Sequence, residues 1–230
     1  MVQSVHVSRS LPTNMQEVEA LLREFIGDID PEDPKGRRRR DILEAATELF
    51  AARGYRKTSM TDIAAQGGVA KATLYLHFKS KTEVLIAAVA LEKLKTLAPF
   101  AAAFDTALPA RARLRIWIER ALLVVARSPL LSRLISGDEE MVAFLADVSA
   151  EVIAESSARQ FGIFGDLVAE AIAPERVDAH ELRRRVTAMS TLFYVAPILR
   201  LDHIRHGLTL EELAGSLADL VVDGICRRKE

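Results

Sequence analysis

The chain has a single cysteine, Cys226, which excludes a disulfide framework and leaves no cluster of thiols to build a zinc knuckle. Long apolar runs are missing as well. A membrane-spanning helix needs about 20 consecutive apolar residues, and uncharged stretches such as Thr96 to Phe104 are far shorter. Met1 to Pro12 has no apolar core followed by a small-residue cleavage site, so no secretion signal is expected. Together these absences point to a soluble, cytoplasmic protein with no membrane partner. The marks of catalysis are also lacking: no serine on a glycine elbow, no phosphate-cradling glycine loop, no acid and base at a telling spacing. No enzyme, no catalytic residue and no cofactor is therefore expected. His203 and His206 stand three apart beside Asp202, but no third ligand is placed near them, so a solvated helix end is expected in place of a metal site.

What is present is a chain of 230 residues, half of them hydrophobic and 27% charged, the composition of a globular protein with a real core. Its length fits one large domain or a small and a medium one. The formal charge of −1 hides an uneven distribution. Residues 1–36 hold 3 basic and 7 acidic groups, residues 37–81 hold 10 and 4, and residues 82–230 hold 18 and 21. Only the middle block is cationic, and a local cationic face is enough to neutralise phosphates.

Periodicity divides the chain in the same way. Asn14 and Glu17 look like a capping pair, Val18, Leu21, Leu22, Phe25 and Ile26 recur at helical spacing, and Gly27 follows as a stop. This predicts a short amphipathic helix over Met15 to Ile26, then a linker over Asp28 to Gly36, which carries Pro31 and Pro34. From Asp41, the positions Ile42, Ala45, Ala46, Leu49 and Phe50 predict a three-turn helix ended by Gly54. Ser59 with Asp62 opens a short helix, Gly67-Gly68 makes a tight turn, and a second short helix runs from about Ala70 to His77. Beyond Lys81 no run alternates with period two. Helices are expected at about Thr82 to Leu97, Ala110 to Arg127, Leu130 to Ser136, Glu139 to Gln160, Phe164 to Ile172, Val177 to His206 and Leu210 to Arg228. Pro197 should kink the penultimate one.

Residues 58–81 have the spacing of a helix-turn-helix unit. Ile63, Val69, Leu74 and Phe78 can pack on Ile42, Leu49 and Phe50, which leaves Lys71, Thr73, Tyr75 and His77 facing out. A helix of this width fits the major groove, with its first residues at base edges and its hydroxyls and cations at phosphates. Arg37, Arg38, Arg39 and Arg40 form a basic run at a helix start, where cations oppose the macrodipole. Either this is a solvated helix end, or the arginines track the DNA backbone or enter a minor groove.

On these residues the chain resembles the tetracycline-repressor (TetR) family of bacterial transcriptional regulators. The resemblance covers Arg38 to Leu85, where Phe50, Gly54, Thr58, Ile63, Ala64, Gly68, Val69, Leu74, Tyr75, Phe78, Lys81 and Leu85 fall on the family's motif. It implies that Thr61, Lys71 and Ala72 approach bases while Ser59, Thr73, Tyr75, His77 and Lys81 hold phosphates. Gly67 stands where the family usually has Ala, and Ala72 where it often has Gly; the Ala72 methyl would suit a thymine contact.

The resemblance further implies an all-α fold, with a three-helix helix-turn-helix DNA-binding domain at 37–81 and a larger helical ligand-binding and dimerisation domain at 82–230. Residues 1–36 form an acidic extension, either a structural cover or a sensor of a partner protein. The implied function is a DNA-binding transcriptional regulator, a repressor released from a palindromic operator by a small-molecule effector that shifts the helix beginning near Lys81. An activator, or a helical lipid-binding protein without DNA binding, is the alternative. Leu192, Val195, Ile198, Leu199, Leu213, Leu217, Leu220, Val221 and Ile225 offer apolar stripes for a homodimer, or else ordinary core. For the effector, expected to be hydrophobic or amphipathic, Trp117, Phe144, Met189 and Tyr194 are the candidate lining. Phe100, Phe104, Met141, Phe161 and Phe164 are further apolar candidates, and Arg113, Arg120, His180 and His203 are possible polar anchors.

Overall fold

A computed structural model describes residues 15–136, 138–148, 165–173 and 177–226. The fold is all-α, and no strand occurs among the described residues. Helix α1 spans Met15–Ile26, α2 Pro34–Arg53, α3 Met60–Gln66, α4 Lys71–His77 and α5 Lys81–Lys95. A 3₁₀ segment, Ala98–Phe104, leads to α6 (Ala110–Arg127), α7 (Pro129–Ser136) and α8 (Asp138–Ala146). Residues 165–172 form α9, followed by α10 (Ala179–Thr191), a second 3₁₀ segment (Leu192–Arg200), α11 (Asp202–Arg205) and α12 (Leu210–Ile225).

Two cores result. The first gathers Ile26 of α1, Ile42, Leu43, Leu49 and Phe50 of α2, Ile63, Leu74, Phe78, and Val84, Leu85 and Leu91 of α5. The second joins Leu114, Ile118 and Leu122 of α6 to Leu167, Val168, Val186, Met189, Phe193, Leu199, Ala214, Ala218 and Val222. The inward set expected for the helix-turn-helix is realised: Ile63, Leu74 and Phe78 are buried and Val69 is half-buried. Helix α1 turns Ile26, Leu22 and Phe25 onto the first core and lies along α5. It is thus a cover on its own chain.

Several boundaries differ from the expectation. Helix α2 begins at Pro34, because Asp33 caps it by accepting from the Gly36 amide at 2.9 Å and Pro34 sits in the first turn, where its missing N–H costs nothing. The linker is correspondingly shorter, the boundary expected at 36/37 falls inside α2, and the arginine run occupies its first two turns. The helix expected over Glu139 to Gln160 ends at Ala146, with Asp147 and Val148 in a turn; residues 149–160 lie outside the described set. The long helix expected over Val177 to His206 is broken. Its α-helical part stops at Thr191, and the stretch holding Pro197 is 3₁₀. Proline lacks the amide and crowds the carbonyl four residues back, so the ladder gives way before it. Leu201 is then extended, and His206 is left-handed with φ 49°. Asn14, Gly137, Phe161, Gly162, Phe164, Pro174 and Arg227–Glu230 lie outside the described residues. No helix among the described residues is long and apolar enough to cross a membrane.

Candidate nucleic-acid interface

The helix-turn-helix is fixed by short-range chemistry. Ser59 and Asp62 form a reciprocal capping box at the start of α3: the Asp62 amide donates to the Ser59 hydroxyl at 3.2 Å and the Ser59 amide donates to the Asp62 carboxylate at 2.9 Å. The Ser59 hydroxyl also donates to the Asp62 carboxylate at 2.6 Å, and this bond, followed by that from the Ser59 amide, holds the Asp62 carboxyl below the ordinary carboxylate value. Of the two turn glycines, Gly68 takes φ +63°, while Gly67 sits at an ordinary −79°. Ala70 caps α4 without a side-chain bond, so the helix starts with open backbone amides beside Lys71 and Ala72.

Helix α4 presents Lys71, Ala72 and Tyr75 to solvent, with Thr73 half-buried, and the first turn of α3 exposes Thr61 beside Ser59. These residues are the accessible ones of the expected contact set on α3 and α4. Leu76, absent from the sequence-derived set, is 81% exposed against 47% for Tyr75; helix register turns this apolar side chain out. Lys79, exposed just past α4, is another cation that the sequence reading passed over.

Two expected phosphate contacts are already committed within the chain. Lys81 donates to the Tyr55 carbonyl at 2.9 Å, and its ammonium lies 3.9 Å from the centroid of the Tyr55 ring. His77 is half-buried with an unpartnered buried Nδ1. Burial first, then the charges of Arg39, Lys35 and Arg38, lowers its pKa from the ordinary value, so its ring is neutral at pH 7.

The basic run likewise divides. Arg37 donates to the carbonyls of Pro31 at 2.6 Å and Glu32 at 3.2 Å, and Arg40 donates to that of Ile29 at 3.0 Å. Arg39 donates to Ile26 and His77; burial draws its guanidinium down from its ordinary value while Glu83 opposes the shift. Arg38 is exposed. Three of the four arginines thus hold main chain, because a guanidinium fork meets carbonyl oxygens left open by the linker and helix ends.

The other side of the head meets the body at Tyr55. Its hydroxyl donates to the Asp147 carboxylate at 2.5 Å and lies 2.9 Å from the Thr82 hydroxyl. The ring stands 6.0 Å from that of Phe50 and 5.8 Å, edge-on, from that of Phe144. Burial, and then the bond to Asp147, pushes the Tyr55 phenol up to about 12. Next to it, the Arg56 amide donates to Glu140 at 3.0 Å and its guanidinium pairs with Glu139.

The candidate effector residues are not gathered at one place. Trp117 meets Phe100 and Phe193 edge-on at centroid distances of 5.9 and 5.5 Å, and Met189 is buried in the same core. Phe144 belongs instead to the first core beside Tyr55, and Tyr194 is 61% exposed. Phe193 was missed, although it follows Met189 by four residues, the spacing of one helical face. Arg113 pairs with Glu170 and Arg120 lies 3.9 Å from Glu119, while His180, His203 and His206 are exposed. A recess of about 350 Å³ is lined by none of these residues and lies between the end of α1 and the linker. Of the apolar stripes, Leu199 and Ile225 are core, Leu192, Leu213, Leu217 and Val221 are half-buried, and Val195, Ile198 and Leu220 are exposed.

Residues 42–88 match the model of the bacterial regulatory proteins of the tetR family. The transcriptional activator FasR of Mycolicibacterium smegmatis is 37% identical over 86 residues, 37% of this chain and 39% of that protein. The transcriptional repressor KstR2 of Mycobacterium tuberculosis is 46% identical over 48 residues, 21% of this chain and 24% of that protein. These alignments span well under half the length of the curated relatives. The solved structure of the ketosteroid regulator KstR2 from Mycobacterium tuberculosis covers 88% of this chain and 99% of that one, with a TM-score of 0.59 and 20% identity. AibR in complex with isovaleryl coenzyme A and operator DNA covers 81% and 97%, with a TM-score of 0.59 and 24% identity. At those identities the likeness shows a shared fold, body included. Residues 42–88 are thus similar to the tetR family of bacterial regulatory proteins, and the chain shares the fold of those solved structures.

Proposed function

We propose that the chain is a DNA-binding transcriptional regulator that acts as a homodimer on a palindromic operator and is released from it by a small-molecule effector. The observation that carries this reading is the face of α4, where Lys71, Ala72 and Tyr75 stand exposed while Leu74 locks the helix to the first core. Thr61, Ser59 and Thr73 flank that face as base and phosphate contacts, and Arg38 and Lys79 replace Lys81 as backbone-tracking cations. One such helix reads a half-site, and a two-fold partner about 34 to 36 Å away doubles it. Exposed Val195, Ile198 and Leu220 supply apolar surface for that partner.

The effector is an apolar carbon skeleton with a polar end, of the acyl or acyl-thioester class. Support comes from the aromatic group of Trp117, Phe100 and Phe193 in the same core as the buried Met189, and from the isovaleryl coenzyme A of the AibR complex. Its binding in the body reaches the head through α5 and through the contact of Tyr55 with α8. Coupling of this kind is typically about 1 to 3 kcal/mol.

A duplex enriched by the full-length protein from a random-sequence pool provides the test. Lys71→Ala should weaken its binding, and short- and long-chain acyl-coenzyme A thioesters should shift the dissociation constant at least fivefold, the lower end of that coupling. No enriched duplex would favour a helical lipid-binding protein. An acyl thioester that binds tightly yet leaves operator affinity unchanged would remove the effector reading. The activator FasR favours a second direction of control, which a reporter downstream of the enriched site would register as transcription rising with the protein.

A further inference from the structure

The acidic extension is the one segment that the DNA-reading scheme leaves without a task, and its end converges on the end of the recognition helix. Helix α1 stops at Ile26 and α4 stops at His77. Each terminus leaves backbone carbonyls without an intrahelical partner and carries the negative end of the helix dipole. One guanidinium serves both. Arg39 Nε donates to the Ile26 carbonyl at 2.5 Å and another of its nitrogens donates to the His77 carbonyl at 2.6 Å. Its plane is held by Phe78, whose ring centroid lies 4.0 Å from the guanidinium carbon.

The chain around Arg39 is shaped to this contact. Gly27, immediately after α1, has φ +71°, and a Cβ there would come within 2.8 Å of Arg39 Nε. A side chain at 27 would therefore be both strained and in collision with the guanidinium. Helix α4 has only 7 residues, too few to be stable by its own hydrogen bonds, so its orientation is set by what holds its ends and its buried face. At the start no side chain caps it; at the end Arg39 does.

We propose that the N-terminal extension is a working part of the DNA reader, and that Arg39 is the positioning residue through which α1 fixes the C-terminal end of α4. Arg39 is then not a phosphate contact, although it lies in the basic run, and α1 ties the angle of the reading helix to α5, along which it packs. This rests on the DNA-reading function proposed above.

The test uses full-length protein, the duplex enriched from a random-sequence pool, and amide hydrogen exchange over residues 71–78. Arg39→Ala and Arg39→Lys should both speed exchange there, because an ammonium cannot span two carbonyls as the planar fork does. Both should weaken DNA binding by about tenfold, the worth of a charge-assisted bond, without changing the slope of log affinity against log salt. Arg38→Ala should instead lower that slope by about 0.9, one phosphate contact. Exchange unchanged in both Arg39 variants overturns the inference while the DNA reading stands. So does wild-type binding by Arg39→Lys together with a reduced slope in Arg39→Ala, the signature of a phosphate contact. If Arg39→Ala does not fold, Arg39→Lys decides alone. A wild-type protein that enriches no duplex overturns the DNA reading and this inference with it.

Discussion

Helix α2 is held at its two ends by opposite chemistry. At its start, arginines grip main-chain carbonyls: Ile26 and His77 for Arg39, Ile29 for Arg40. At its end, the loop that follows meets carboxylates of the body: Asp147 for Tyr55, Glu139 and Glu140 for Arg56. The first edge joins parts of the reader to one another, and a carbonyl acceptor has no proton to gain or lose. The second edge joins reader to body through ionisable side chains on α8 and the turn that follows it. A contact of that kind can be made or broken by what happens in the body, which suits it to transmit a signal; the first is suited to keep geometry constant.

Removing the hub of the second edge should have the largest effect. Tyr55→Ala deletes a buried ring that touches Phe50, Phe144 and Lys81, and large-to-small changes of this kind cost roughly 3 to 5 kcal/mol. Chemical denaturation should show that loss. A variant as stable as wild type would mean that the second edge is only apposed. Tyr55→Phe keeps the ring and removes the hydroxyl, so about 1.5 kcal/mol is expected, as for a bond to a charged acceptor. Its more telling effect is on the response to effector, which should fall while operator affinity without effector persists.

The two edges should also separate with pH. Tyr55 holds its proton more tightly in the fold, about 12 against an ordinary 10, so its contribution is intact below pH 10 and is lost as pH rises toward 12. His77 runs the other way. Its pKa is depressed in the fold, so its contribution is present above its ordinary value and is lost as pH falls through the lowered one. Thermal unfolding across pH, compared with Tyr55→Phe and His77→Gln, should lose the alkaline decline in the first variant and part of the acid decline in the second. The smallest effect belongs to Arg56→Ala. Both partners of its ion pair with Glu139 are exposed, and such pairs are worth about 0.5 kcal/mol; a loss several times larger would place the weight of the second edge there and not at Tyr55.

Much of the reader was legible in the sequence because its determinants are local. Ser59 and Asp62 cap α3 across three residues, Ile42, Leu49 and Phe50 mark one face of α2, and of the outward set Lys71, Thr73, Tyr75 and His77, Lys71 and Tyr75 are exposed while Thr73 and His77 are half-buried. Lys81 and His77 have surroundings that spacing does not reveal. A cation or imidazole near a reading helix looks available to phosphate until Tyr55 takes the first and α2 crowds the second. The effector lining was poorly legible because aromatic residues at helical spacing serve any core. Trp117 and Met189 share one, Phe144 serves the other, and no spacing in the chain tells them apart.

By itself the sequence determined the all-α class, the helix-turn-helix, the amphipathic helix ahead of it and the concentration of positive charge in one block, since propensity, capping and periodicity act over a few residues. Tertiary structure decided which charges stay exposed and which are used inside. It gave Arg39 two carbonyls 13 and 38 residues away and Tyr55 a carboxylate 92 residues away. Those partners are chosen by how helices cross in space, where neither composition nor periodicity carries information.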